Sequence, residues 1–220
     1  MLDYALLKLA HLLLFVYWLG ADVGVFYAAR FVRDPNQSLD SRKMAVRIMG
    51  WIDQIPRYSL VLMLPVAYTL ARQLGLVQLP DVVMILLWLV GAGWLWMVWA
   101  IHHYQGTPRA ERLRRVDLAW RVVLVAGLLW DAVQGLRGTG HIMADWISIK
   151  FAIFALLIFC GIMIRIFGKP IGPALRAVLA GGSTPELEAD IVRGFSRTRP
   201  FVLSIWVLLL CAAMVGILKP

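Results

Sequence analysis

The chain has 220 residues, of which 61% are hydrophobic and only 16% charged, and its mean hydropathy is +0.76. A soluble domain is roughly half apolar and about a quarter charged, so this composition excludes an ordinary water-soluble globule. The net charge of +9 would suggest nucleic acid in a soluble chain. Here the cations sit between apolar runs, where they suit topology and anionic headgroups, and no nucleic-acid partner is expected.

A membrane span needs about 20 mostly apolar residues. Six segments qualify: 4–29, 50–73, 80–103, 117–136, 145–167 and 199–218. The expected fold is all-α, a polytopic transmembrane helix bundle with residues 1–220 as one domain and the lipid bilayer as its first partner. The fourth segment is the weakest, because Asp117, Arg121 and Asp131 fall in or beside it. A five-span alternative leaves that segment at the interface. The first segment follows no basic stretch and runs straight into Arg30 and Arg33, which reads as a retained helix rather than a cleaved signal. Many of the ten Trp lie near the ends of apolar runs, as an interfacial belt requires.

Loop charge sets the orientation. The first loop carries Arg30, Arg33, Arg42, Lys43 and Arg47; the third carries Arg109, Arg112, Arg114 and Arg115, with Arg121 just beyond; the fifth carries Arg165, Lys169, Arg176, Arg193, Arg197 and Arg199. The opposite side has only Lys8, Arg72, Arg137 and Lys219, sixteen cations against four. This predicts cytoplasmic odd loops and both termini on the non-cytoplasmic side of the cell inner (plasma) membrane. Residues 168–198 then form a cytoplasmic loop. In it, Ser183 or Thr184, Pro185, Glu186 and Glu188 predict a capped short interfacial helix.

Ionisable residues inside spans are costly and mark functional candidates. His11, Phe15, Trp18 and Asp22 recur at helical spacing on one face of the first segment. Asp53 and Arg57 are four apart at the start of the second, and with Asp22 they form an expected buried charge cluster: a structural lock, or a proton or ion path. His102 and His103 end the third segment. His141 precedes the fifth, on the same side as His11, Lys150, Asp131 and Gln134, so a polar cluster is expected there. Histidines at one depth on separate helices suit a bis-His b-type haem, with His11 and His141 as the pair and His102 or His103 as other ligands. His11 is also the candidate metal ligand. Cys160 and Cys211 stand alone, with no CxxC or CxxCH, which offers neither a disulfide framework nor a c-type haem. No P-loop, HExxH or dinucleotide fingerprint occurs.

Several strings resemble a known family. KLAHLLLFVYWLGADVGVFYAARFV is similar to the first helix of the HemJ/CopD-like membrane proteins, with its His and a following W-x-G. ADWISIKFAIFALLIF resembles the W-x-x-I-K helix of the HemJ-type protoporphyrinogen oxidases, with Lys150 at the Lys position, and FSRTRPFVLSIWVLLLCAAMVGILK resembles the helix after it. Together these cover about half the chain. The resemblance implies a b haem, or copper handling as in the CopD-type relatives, with His11 as ligand and Lys150 as a site residue. Ser148 stands where HemJ-type proteins commonly have His, and 80–140 adds two helices, so the oxidase activity itself is not carried over. The expected function is a b-haem redox protein; the alternatives are a copper- or proton-linked transporter, or a non-catalytic subunit or assembly factor of a membrane complex.

Overall fold

The computed structural model describes residues 2–219. These form eight helices: α1 Leu2–Val32, α2 Leu39–Ile52, α3 Gln54–Gln73, α4 Asp81–His103, α5 Pro108–Leu136, α6 Asp145–Phe167, α7 Ile171–Leu179 and α8 Pro185–Leu218. Among the described residues the only β pairing is one antiparallel bridge, Val77 to Ile142. Four helices, α1, α4, α6 and α8, are long and apolar enough to cross a membrane. They turn Leu9, Leu12, Val16, Ile85, Leu89, Val207 and Leu210 outward. Water would penalise such a surface and lipid accepts it. The chain is built as an all-helical integral membrane protein. The expected segments 50–73 and 117–136 fall mainly in α3 and α5, which have 20 and 29 residues but carry more charge.

Two boundaries differ from the sequence reading, each for a local reason. The first basic loop is not extended: Ser38 caps α2 by accepting the Ser41 N–H at 3.2 Å. This helix ends at Ile52 because Pro56 has no N–H to return to that carbonyl, and the chain restarts as α3 beyond Asp53. In the long loop, Thr184 caps the helix by accepting the Leu187 N–H at 3.3 Å, with Pro185 in its first turn. That helix does not stop short; it runs on through Pro200 to Leu218. A proline inside a helix is tolerated where neighbouring helices and hydroxyls support the backbone, and here Thr198 Oγ1 donates to Phe195 O at 3.0 Å. The separate short helix in this loop is α7.

Packing runs in order from α1 to α3, α4, α5, α6 and α8, and α8 returns to touch α1 lightly. Of its most apolar stretch α6 buries half and α1 only 6%, so α6 is central and α1 peripheral. The main core joins Trp18, Leu64, Tyr68, Trp94, Val98, Phe151, Ala155 and Ile158. Its tightest point is between α5 and α6, where a Cβ on Gly135 would lie 2.1 Å from Ser148 Oγ. We call the end holding the start of α1 and the finish of α8 the terminal end, and the opposite one the basic end. At the basic end a small second core, Val32, Ala45, Leu175, Val178 and Ile191, joins α1, α2, α7 and α8. Over it Arg42, 2% exposed, makes a two-pronged ion pair to Glu188 at 2.7 and 3.0 Å and donates Nε–H to Val32 O at 3.0 Å.

The Arg42 hydrogen bonds hold the Glu188 carboxyl below its ordinary range. This tie is therefore fully present above the usual glutamate pKa of 4.5 and is lost as pH falls through the lowered folded value. Glu188→Gln leaves Arg42 buried without its counter-charge and is expected to cost about 3 kcal/mol. Melting in detergent should show the lowered Tm, together with a weaker dependence on acid than in the unaltered protein. Gly135→Ala is expected to cost about 1–3 kcal/mol by forcing α5 from α6, read as a lowered Tm beside an unchanged Gly127→Ala control, whose added methyl meets nothing within 4 Å.

Candidate functional site

At the terminal end α1 and α6 bring together two nitrogen bases. His11 lies on the face of α1 turned toward the bundle, and its Nδ1 is buried with no hydrogen-bond partner among the described residues. Lys150 lies within Coulomb range of it. The Lys150 ammonium has no acidic partner within 4.0 Å among the described residues and sits 5.9 Å from the Trp146 ring centroid. Gly216 of α8 makes room for it: a Cβ there would come within 2.9 Å of Lys150 Nζ. Because α1 and α8 touch only lightly, these two bases border the least tightly closed seam of the bundle's outer order.

On the next face of α6 a second group assembles. Tyr68 of α3 donates its hydroxyl to Asp131 Oδ2 of α5 at 2.8 Å, and His141 Nε2 approaches the same oxygen at 3.7 Å. The Tyr68 ring stacks on Phe151 at 4.5 Å and on His141 at 6.4 Å. Backbone pairing fixes the His141 loop, since Gln78 N donates to His141 O at 2.8 Å and Met143 N to Leu76 O at 2.9 Å. Tyr68 carried no signal in the sequence beyond being one polar-tipped aromatic in an apolar run. Gln134 is held apart from this hydroxyl–carboxylate–imidazole group, its backbone carbonyl accepting from Thr139.

His102 and His103 are at the basic end, away from both groups. His102 bonds to Gln105 Nε2 at 2.8 Å and meets Trp51 edge-on; His103 is exposed and stacks on Trp99 at 4.8 Å. Ser148 shows why a histidine has no place at that position. It is fully buried, with Gly135 pressed against its hydroxyl, so α5 occupies the space an imidazole would need.

Deeper in the basic half lies the strongest concentration of charge, which sequence reading had scattered. Asp117 is completely buried and accepts Trp94 Nε1–H at 2.7 Å, Arg121 Nε–H at 3.0 Å, and the Arg165 guanidinium. Arg121 also lies over the Trp94 ring, 5.3 Å from its centroid. Asp53 and Arg57 pair as their spacing predicted, and they stand within Coulomb range of Arg121. Asp22 does not join Arg57; it accepts Trp206 Nε1–H from α8 at 2.9 Å. Its bond therefore ties α1 to α8, not to the following span. Asp117 and Arg121 have the same four-residue spacing as Asp53 and Arg57, a signal that in the sequence reads only as a weakness of the fourth apolar segment.

No family model matches the chain, and neither a curated protein nor a solved structure matches it. Two surface grooves, one between α1 and α2 and one between α3 and α4, have none of the candidate histidines in their walls. Among the described residues no group of three or more His, Cys, Asp or Glu is placed to hold a metal ion. At the terminal end His11 Nδ1 is left buried without a hydrogen bond among these residues. The Asp117 group, by contrast, is hydrogen-bonded within itself, one carboxylate between two guanidinium groups. Asp117→Asn removes the charge that two buried guanidinium groups share and is expected to cost about 3–5 kcal/mol, measured by thermal or denaturant unfolding in micelles.

Proposed function

We propose that this is a six-span protein of the plasma membrane, with both termini on the non-cytoplasmic side, that carries b haem at the terminal end and works as a redox protein of the HemJ/CopD-like kind. The observation that carries the reading is the pair His11 and Lys150: two nitrogen groups from different helices within Coulomb range of each other, the His11 Nδ1 buried without a hydrogen bond and the Lys150 ammonium without an acidic partner within 4.0 Å among the described residues. An unpartnered polar atom in lipid costs free energy, and such an expense marks a binding position. The six segments, with their sixteen cations against four, support the orientation.

His11 is the iron ligand in this reading, through its free Nδ1. Lys150 is the neighbouring site residue, kept in place by Trp146 and by the notch at Gly216. A b haem bound here would supply one-electron transfer between its two iron states. The chain's own part is to hold the ligand nitrogen, exclude water with α1 and α8, and set the charge beside the iron through Lys150. His141 is not a partner for His11 on this reading. Its Nε2 is also without a hydrogen bond among the described residues, but it lies 3.7 Å from Asp131 and its ring stacks near Tyr68, an arrangement suited to orienting a polar substrate or a proton near the same end.

The test is the absorbance spectrum of detergent-purified protein, reduced with dithionite, after expression with haem supplied. A Soret and an α band are expected in the unaltered chain, lost in His11→Ala, shifted or weakened in Lys150→Met, and unchanged in His103→Ala. A chain that folds and purifies without any haem band overturns the reading, and a co-purifying membrane subunit would then place it among complex components.

A further inference from the structure

We propose that Asp22 is a proton-binding carboxyl, a site in the basic half of the seam between α1 and α8 that takes up and releases a proton. The proposal is independent of the haem reading, because it concerns different residues and a different ligand.

The argument begins with what each carboxylate in an apolar stretch has for company. Asp53 has the Arg57 guanidinium, and Asp117 has Arg121 and Arg165. Asp131 has the Tyr68 hydroxyl and the His141 ring. Asp22 has one hydrogen bond, from Trp206 Nε1 at 2.9 Å, and no cation within 4.0 Å among the described residues. An indole N–H carries no charge to offset a carboxylate. An ionised group in this medium without a counter-charge is costly, whereas the carboxylic acid keeps the indole bond on its carbonyl oxygen and sheds the charge.

The surroundings point the same way. From the junction of α2 and α3 the charge that acts on it is Asp53, which is paired with Arg57 of α3. On α8 the facing group is Trp206, whose ring also packs edge-on against Phe26 at 5.2 Å. About half a turn along, α2 meets α1 through Ile52, 3.6 Å from a Cβ built on Gly24. None of these supplies a spare positive charge. An open groove of about 700 Å³ between α1 and α2 is lined by Gly24, Asp40 and Ser41 but not by Asp22, which faces α8.

Purified protein in phosphatidylcholine vesicles is treated with dicyclohexylcarbodiimide, a lipid-soluble reagent that adds to protonated carboxyls. Peptide mapping by mass spectrometry is expected to find the adduct at Asp22, diminishing as the buffer is made alkaline, and absent in Asp22→Asn. Infrared spectra supply a reading that does not depend on reagent access: the C=O band of a carboxylic acid, lost in Asp22→Asn. The same variant keeps an acceptor for Trp206 and is expected to hold the unaltered Tm, as a structural ionised carboxylate would not. Absence of both the adduct and the infrared band, an adduct at Asp22 that ignores pH, or a clear fall in Tm for Asp22→Asn overturns the proposal.

Discussion

Lipid solvates neither a peptide group nor a charge, and this one constraint decides what each element of the chain does. Backbone N–H and C=O groups must find partners within the same segment, so the described residues fold almost wholly as helices. Charged side chains meet the same demand differently. Asp117 gathers Trp94, Arg121 and Arg165 from α4, α5 and α6 and so joins three neighbouring helices through one carboxyl group. A helix with Asp117 and Arg121 midway along it is a poor membrane segment by composition. It becomes acceptable once those charges face a partner on the next helix.

The two ends of the bundle use polar groups in opposite ways. At the basic end nearly every buried charge is matched: Arg42 with Glu188, Arg57 with Asp53, Arg165 with Asp117. The first of these pairs holds α2 to the first turns of α8, and the last holds α6 to α5. Toward the terminal end, His11 and Lys150 are left without partners, and the helices beside them are the least firmly joined. Rigidity is concentrated where the chain has loops to organise, and polar capacity is left over where a ligand could enter from the seam.

Much of the architecture was legible in the sequence, because hydropathy over about 20 residues reports directly on the medium. The cap at Thr184 and the pair Asp53–Arg57 were legible for a related reason, being local: each depends on residues three or four apart. What escaped was set by contacts between distant segments. The helical first loop depends on Arg42 reaching Glu188, and Arg165 looked like a loop cation until α6 placed it against Asp117. Tyr68 gains its meaning from Asp131 and His141, which lie two helices away in the chain. Likewise Asp22 was grouped with Arg57 by depth, while its actual partner, Trp206, comes from the last helix.

The order in which the site's walls appear along the chain has a consequence for how the protein is made. His11 is carried by the first helix, Lys150 by the sixth, and the notch at Gly216 by the last turns of the eighth. During insertion α1 waits in the bilayer with its imidazole unaccompanied while four further helices are synthesised. Gly216 borders Lys150 only once α8 has been made and lies along α6 and α1. The light contact between α1 and α8 therefore forms only after every helix that separates them in the sequence, later than the contacts between neighbours.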